Sequence, residues 1–161
     1  ELDPAMAGGS LYEMGSYPLL PIMKLLGTED KGINIYSRMN ENGVDVYTRG
    51  IMRYAGAVAS FQLGLGVKTE GNLVISGTQG YVYVPSPWWK TDYFELRYED
   101  QNRNKKYFYK WDEPGLRYEI QEFVSCILNG RGSSARLTPR QSIAMARVME
   151  QFANRENVFE I

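Results

Sequence analysis

Between Gly32 and about Trp111 the chain is a succession of short β-rich runs joined by turns, and no join is long enough to carry a parallel crossover. A parallel pair needs a connection of about a dozen residues to bring the chain back to the same end, so neighbouring runs can pair only antiparallel. Ile33-Asn34-Ile35-Tyr36 and Val44-Asp45-Val46-Tyr47 both alternate and flank the turn Asn40-Glu41-Asn42-Gly43, which predicts a hairpin. Ile51-Met52-Arg53-Tyr54 and Val58-Ala59-Ser60-Phe61 predict a second, turning at Ala55-Gly56. Asn72-Leu73-Val74-Ile75 and Tyr81-Val82-Tyr83-Val84 join through Gly77-Thr78-Gln79-Gly80. Phe94 to Tyr98 and Tyr107 to Tyr109 flank a polar loop from Asp100 to Lys105.

Helical periodicity lies on either side of this block. Behind the turn Ala7-Gly8-Gly9, the stretch from Ser10 to Leu26 opens with Ser10 and Glu13 at the spacing of a capping box, in which each side chain satisfies a free N–H at a helix start. Pro18 and Pro21 predict a kink or restart near Tyr17, since proline lacks an N–H and crowds the preceding turn. In the last third, Ile120, Phe123, Val124, Ile127 and Leu128 form an apolar stripe that ends at Gly130. Thr138, Pro139 and Gln141 then start a second helix with Ile143, Met145, Val148, Met149 and Phe152 along it. Both stripes are expected to bury against the sheet. Strands in one block and helices in others predict an α+β fold, and a length of 161 residues suits a single domain, 1–161.

Composition narrows the chemistry. The chain has no histidine and one cysteine, Cys126, so it can form neither a Ser-His-Asp triad, nor a His-containing metal site, nor an internal disulfide. Proton chemistry falls to Asp, Glu, Lys, Tyr or the lone thiol. Cys126, beside the apolar stripe of its helix, is most simply a small buried residue. Lys plus Arg number 18 against 19 for Asp plus Glu, which leaves no net field to recruit nucleic acid or an anionic membrane. A small molecule or another subunit is the expected partner, and the cytoplasm the expected compartment. No apolar run approaches the length of a membrane span, and Glu1-Leu2-Asp3-Pro4 carries no signal-peptide pattern.

Four features invite a functional reading, each beside a plainer one. Gly64-Leu65-Gly66 lacks both the third glycine of a dinucleotide fingerprint and a following helix, so it reads as strand or bulge glycines. Glu13 and Tyr17 are four apart and share a helix face, where a carboxylate and a phenol can move a proton; alternatively Glu13 completes the cap and Tyr17 packs. Pro85-Ser86-Pro87-Trp88-Trp89-Lys90 can wall a sugar or ring-shaped ligand, bury at a subunit contact, or cap the core. Arg103-Asn104-Lys105-Lys106 reads as a solvated hairpin edge guarded by lysines.

Gly8-Gly9-Ser10-Leu11-Tyr12-Glu13-Met14-Gly15-Ser16-Tyr17 resembles the G-G-G-x-L-x-D-x-G-x-(H/Y) motif of the glucose-fructose oxidoreductase, inositol dehydrogenase and MocA family. Tyr54-Ala55-Gly56-Ala57-Val58-Ala59 is similar to that family's hairpin, and Gly77-Thr78-Gln79-Gly80 to its G-x-x-G before a strand. Leu2-Asp3-Pro4, the helix around Tyr118 to Phe123 and the one from Thr138 to Phe152 fall in matching order, so the resemblance covers essentially the whole chain. It departs in three places: Glu13 stands where the family usually has Asp, Tyr17 where it frequently has His, and Leu20 where an acidic or amide residue is frequent.

The resemblance implies a C-terminal domain with an open, mostly antiparallel sheet and helices on one face. It also implies a missing N-terminal Rossmann domain that carries the NAD or NADP site and a Glu-Lys-Pro segment. This chain alone is then expected to bind no cofactor and to be inactive. The full-length enzyme is expected to move a hydride between a nicotinamide and a hydroxyl-bearing or carbonyl carbon of a sugar, cyclitol or related compound. Tyr17 would exchange the proton, Glu13 would orient it or the substrate, a lysine from the missing domain would lower the phenol pKa, and Trp88 and Trp89 would wall the substrate. Outward tyrosines would pair the open sheet face with a second subunit. A non-catalytic binding or dimerisation module is the alternative, and a small enzyme working without a nicotinamide a third reading.

Overall fold

The computed structural model describes residues 2–110 and 115–161, so Glu1 and the Trp111 end of the β-rich region lie outside the described residues. In chain order the elements are α1 (Ser10–Met14), α2 (Ser16–Leu26), β1 (Ile33–Met39), β2 (Asp45–Tyr54), β3 (Ala57–Gly64), β4 (Leu73–Ser76), β5 (Gly80–Val84), β6 (Tyr93–Tyr98), β7 (Lys105–Phe108), α3 (Leu116–Leu128), α4 (Pro139–Ala153) and β8 (Val158–Glu160). The fold is α+β. It forms two compact units, Glu1–Lys68 with Gly130–Ile161, and Thr69–Asn129.

The first unit is a four-stranded sheet in the order β3-β2-β1-β8, with α1, α2 and α4 supplying the rest of its core. β1 pairs antiparallel with β2 and β2 with β3, as the turns require; the runs at Val44 and Ile51 belong to one long strand. Strand alternation puts Ile33 and Ile35 on the same face as Met52, Phe61 and Leu63. These side chains meet Leu11, Leu19, Met23, Ala144, Met145, Val148 and Phe152 in a single cluster. Leu11, Leu19 and Ile35 are fully buried, each worth about 1.5–3 kcal/mol of transfer free energy. On the other face Asn34, Arg38, Arg49 and Gln62 are exposed, and Tyr36 stacks on Phe159 at 5.3 Å.

α4 has the predicted capping box: Gln141 N–H donates to Thr138 Oγ1, and Thr138 N–H donates to Gln141 Oε1. One detail of its stripe differs, because Ile143 is 60% exposed and Ala144 is buried in its place. β8 has no counterpart in the sequence reading. Its three residues pair parallel with β1, and the whole chain between the two strands supplies the crossover.

The second unit is a four-stranded antiparallel sheet in the order β4-β5-β6-β7. The strands therefore divide between two sheets. The break falls after Gly64: Leu65 N–H still donates to Val46 O at 3.0 Å, and the chain then runs outside any strand through Glu70-Gly71-Asn72 to β4. Lys105, expected as the end of the polar loop, is instead the first residue of β7. The largest departure concerns α3. The stripe expected to bury is exposed, with Phe123 at 66%, Ile127 at 62% and Leu128 at 79%, and only Cys126 within the helix is buried. Amphipathic spacing fixes which face is apolar, but not that another element of the described residues covers it.

Candidate functional site

The site of interest begins at Gly9. Its φ of +127° is one that L side chains rarely adopt, and a Cβ there would strike the carboxylate of Asp45. That carboxylate is 2% exposed and reaches the start of α1 from the first residue of β2. Its Oδ2 accepts from Ser10 Oγ at 2.5 Å, from Leu11 N–H at 2.9 Å and from Thr48 Oγ1 at 2.6 Å. Ser37 Oγ lies 2.8 Å from Thr48 Oγ1. Because the Thr48 proton is committed to Asp45, Ser37 must be the donor in that contact.

This arrangement corrects the expected capping box at Ser10 and Glu13. Ser10 is the first helical residue, Gly9 is the N-cap without a side-chain cap bond, and the free N–H of Leu11 is satisfied by Asp45 from another strand. Glu13 contributes an ordinary helical N–H bond to Gly9 O at 3.0 Å, and its side chain is exposed.

The expected restart near Tyr17 occurs earlier, at Gly15. This residue keeps helical dihedrals, φ −60° and ψ −31°, and a Cβ on it would press on the Leu11 carbonyl. Gly15 N–H donates to Leu11 O at 2.7 Å and Leu19 N–H to Gly15 O at 3.2 Å, so the helical path continues through the break. Pro18 falls in the first turn of α2, where a missing N–H costs least. On such a path Leu11 and Leu19 share the buried side, while Glu13 and Tyr17 project from the other. Tyr17 is 51% exposed. The structure thus brings Glu13 and Tyr17 to one exposed helical face.

Trp88 and Trp89 stand in the second unit. They meet edge to face, with ring centroids 6.0 Å apart, and Trp88 N–H donates to Gly71 O at 3.0 Å. Trp89 is 44% exposed. On the same unit Arg97 donates to Glu95 at 2.7 Å and lies 4.3 Å from the centroid of the Tyr83 ring, while Lys106 lies 3.5 Å from that of Tyr93. The hydrogen bond from Arg97 holds the Glu95 carboxyl below the usual glutamate range, against a smaller effect of burial. Gly64-Leu65-Gly66 runs from the end of β3 into a bend, with no helix behind it, and so forms no pyrophosphate cradle.

Asp45 is the site residue that sequence reasoning missed. Its local signals are a carboxylate between two valines at the start of a strand and Thr48 three residues on; its other two partners, Leu11 and Ser10, lie 34 and 35 residues away.

No family model matches the chain. It is 27% identical over 158 residues to the rabbit trans-1,2-dihydrobenzene-1,2-diol dehydrogenase, a match covering 93% of this chain and 48% of that protein. It is also 27% identical over 150 residues to scyllo-inositol 2-dehydrogenase (NADP(+)) of Bacillus subtilis, covering 92% of this chain and 44% of that one. The fold superposes on a 3-ketoreductase from Actinomadura kijaniata in complex with NADP and TDP-benzene, with a TM-score of 0.79 at 17% identity over 96% of this chain and 47% of the other. The chain spans about half the length of the curated relatives it matches. By these matches and the Gly8 to Tyr17 motif, the chain is similar to the C-terminal part of oxidoreductases of the glucose-fructose oxidoreductase, inositol dehydrogenase and MocA type.

Proposed function

We propose that this chain is the substrate-facing part of an NAD(P)-dependent oxidoreductase acting on a hydroxyl-bearing or carbonyl carbon of a cyclitol, sugar or cyclic diol. The observation that carries the reading is the exposed pair Glu13 and Tyr17 on a helical segment whose start is tied to the sheet. Its support from relatives is the dehydrogenase match along 93% of the chain. A nicotinamide, held by the part of the relatives' length that this chain does not cover, would supply the hydride chemistry. In oxidation Tyr17 takes the hydroxyl proton as the carbonyl forms, and in reduction it returns it; Glu13 orients the substrate or the phenol. Trp88 and Trp89 offer an aromatic wall for a ring-shaped substrate. No helix among the described residues is long and apolar enough to cross a membrane. A single cysteine in 161 residues suits a reducing compartment, and the cytoplasm is the location proposed on that ground.

The test uses the full-length protein and follows nicotinamide absorbance with NAD+ and NADP+ against a panel of cyclitols, sugars and trans-diols. Tyr17→Phe keeps the ring and deletes the hydroxyl, so on the best substrate kcat should fall by about a hundred- to ten-thousand-fold with the fold intact. Unchanged turnover in this variant removes Tyr17 from the mechanism.

A second reading, a dimerisation module, draws on one face of the second sheet. Register puts Tyr81, Tyr83, Tyr93 and Phe108 on that face with Arg97 and Lys106. Phe108 is 71% exposed there. The two readings are compatible, since an enzyme of this kind can pair through its sheet.

A further inference from the structure

Ser37, Thr48, Asp45 and Ser10 form a buried polar chain that runs from β1 through β2 to the first turn of α1, and each of the four is at most 2% exposed. A carboxylate out of water is costly unless it is fully hydrogen-bonded, and here three donors converge on a single oxygen, Oδ2. Such a network in a low-dielectric interior is stiff, because losing one member leaves the others buried without a partner. What it holds is the start of the helical path on which Glu13 and Tyr17 stand.

We propose that Asp45, which the proposed mechanism does not otherwise use, is a positioning residue for that proton-transfer pair. Resting on the oxidoreductase reading above, this assigns to Asp45 the placement of Tyr17 against the reacting oxygen. The geometry is that of a lever. Asp45 grips Ser10 and Leu11, and the hydrogen-bond ladder passes through Gly15 to Leu19, so a shift at the anchored end is carried to Tyr17, about 9 Å further along the helix axis at ~1.5 Å per residue. Gly9 completes the grip, since a side chain there would displace the carboxylate.

The experiment is a comparison of Thr48→Val, Thr48→Ser and Ser10→Ala in the full-length enzyme with its best substrate. Thr48→Val keeps the shape and removes one donor to Asp45; Thr48→Ser restores that donor. Displacement of a reacting group by about 1 Å costs on the order of a hundredfold, so kcat should fall by about ten- to a hundredfold in Thr48→Val and Ser10→Ala. The solvent deuterium isotope effect on kcat should rise, because the proton step becomes limiting, while KM for the nicotinamide stays put. Thr48→Ser should recover turnover. A purely structural role predicts a lower melting temperature with kcat and isotope effect unchanged, and that result overturns the proposal. So does a parallel loss of kcat and nicotinamide affinity, which marks general loosening. If Thr48→Val does not fold, Ser10→Ala at the other end of the network decides by the same readouts. Tyr17→Phe separates the two levels: normal turnover there removes Tyr17 from the mechanism and overturns this proposal with it, whereas the absence of nicotinamide-linked turnover by the unaltered enzyme on every compound of the panel sinks the oxidoreductase reading itself. Lost turnover in Tyr17→Phe with normal Thr48→Val and Ser10→Ala sinks only the role of Asp45.

Discussion

At the scale of single residues, the chain is governed at Gly9 by two constraints that act together. Positive φ disfavours any L side chain, and the space a Cβ would take is already filled by Asp45. Gly9→Ala should therefore destabilise by more than about 1 kcal/mol, measured as a drop in the denaturant midpoint with unchanged slope. Gly56, with φ +81° but nothing near its Cβ position, provides the control: Gly56→Ala should cost only the backbone strain and fall short of Gly9→Ala. Equal losses at the two positions would show that the Asp45 contact adds nothing. The glycine at position 9 was legible in the sequence as a turn; the carboxylate that makes it obligatory was not. Likewise Glu13 has the spacing of a capping partner but does not take that role, because Gly9 and not Ser10 is the N-cap and the Ser10 hydroxyl donates to Asp45. A side chain free of its cap stands exposed beside Tyr17, the arrangement the proposed chemistry needs.

Among the elements, those with strong local codes form as expected. The hairpins β1–β2, β2–β3 and β4–β5 turn where the turn residues stand, and α4 starts at Thr138 with its box closed. α1 and α2 keep one apolar side inward across a glycine that the proline pattern placed two residues too late. The second sheet carries a charge code of its own. Glu95 bridges Arg97 at 2.7 Å and Lys106 at 3.6 Å on neighbouring strands. Its carboxyl is held below the usual range chiefly by the Arg97 hydrogen bond, so its contribution to stability is complete above the unfolded-state value and is lost as pH falls through the folded one. Melting temperatures of the chain and of Glu95→Gln should differ at neutral pH, by a modest amount for so accessible a pair, and should converge below the ordinary carboxylate range. A gap that persists in acid would assign the difference to packing. α3 shows the limit of periodicity, since its stripe is real and yet Leu128 remains 79% exposed.

For the molecule as a whole, the exposed aromatic face of the second sheet leads to an expectation about assembly. Tyr81 at 40% and Phe108 at 71% exposure, beside Tyr83 and Tyr93, make a surface on which a second copy can bury aromatic area. Sedimentation at high micromolar concentration should show a dimer, and Phe108→Ser should weaken it; a strictly monomeric profile counts against pairing through this face. The sequence by itself determined the α+β class, the antiparallel hairpins, the boundaries of α4 and the family motif from Gly8 to Tyr17, because each is set by residues close together in the chain. Only the tertiary structure decided that the strands divide into two sheets, that β8 joins β1 in parallel, that the stripe of α3 stays exposed and that Asp45 holds the start of α1. Each of these depends on which distant segment supplies a partner. The donors at Ser10 and Leu11 carry no local sign of the carboxylate 35 and 34 residues away that satisfies them, and burial of that carboxylate is stable only once all of its donors are in place.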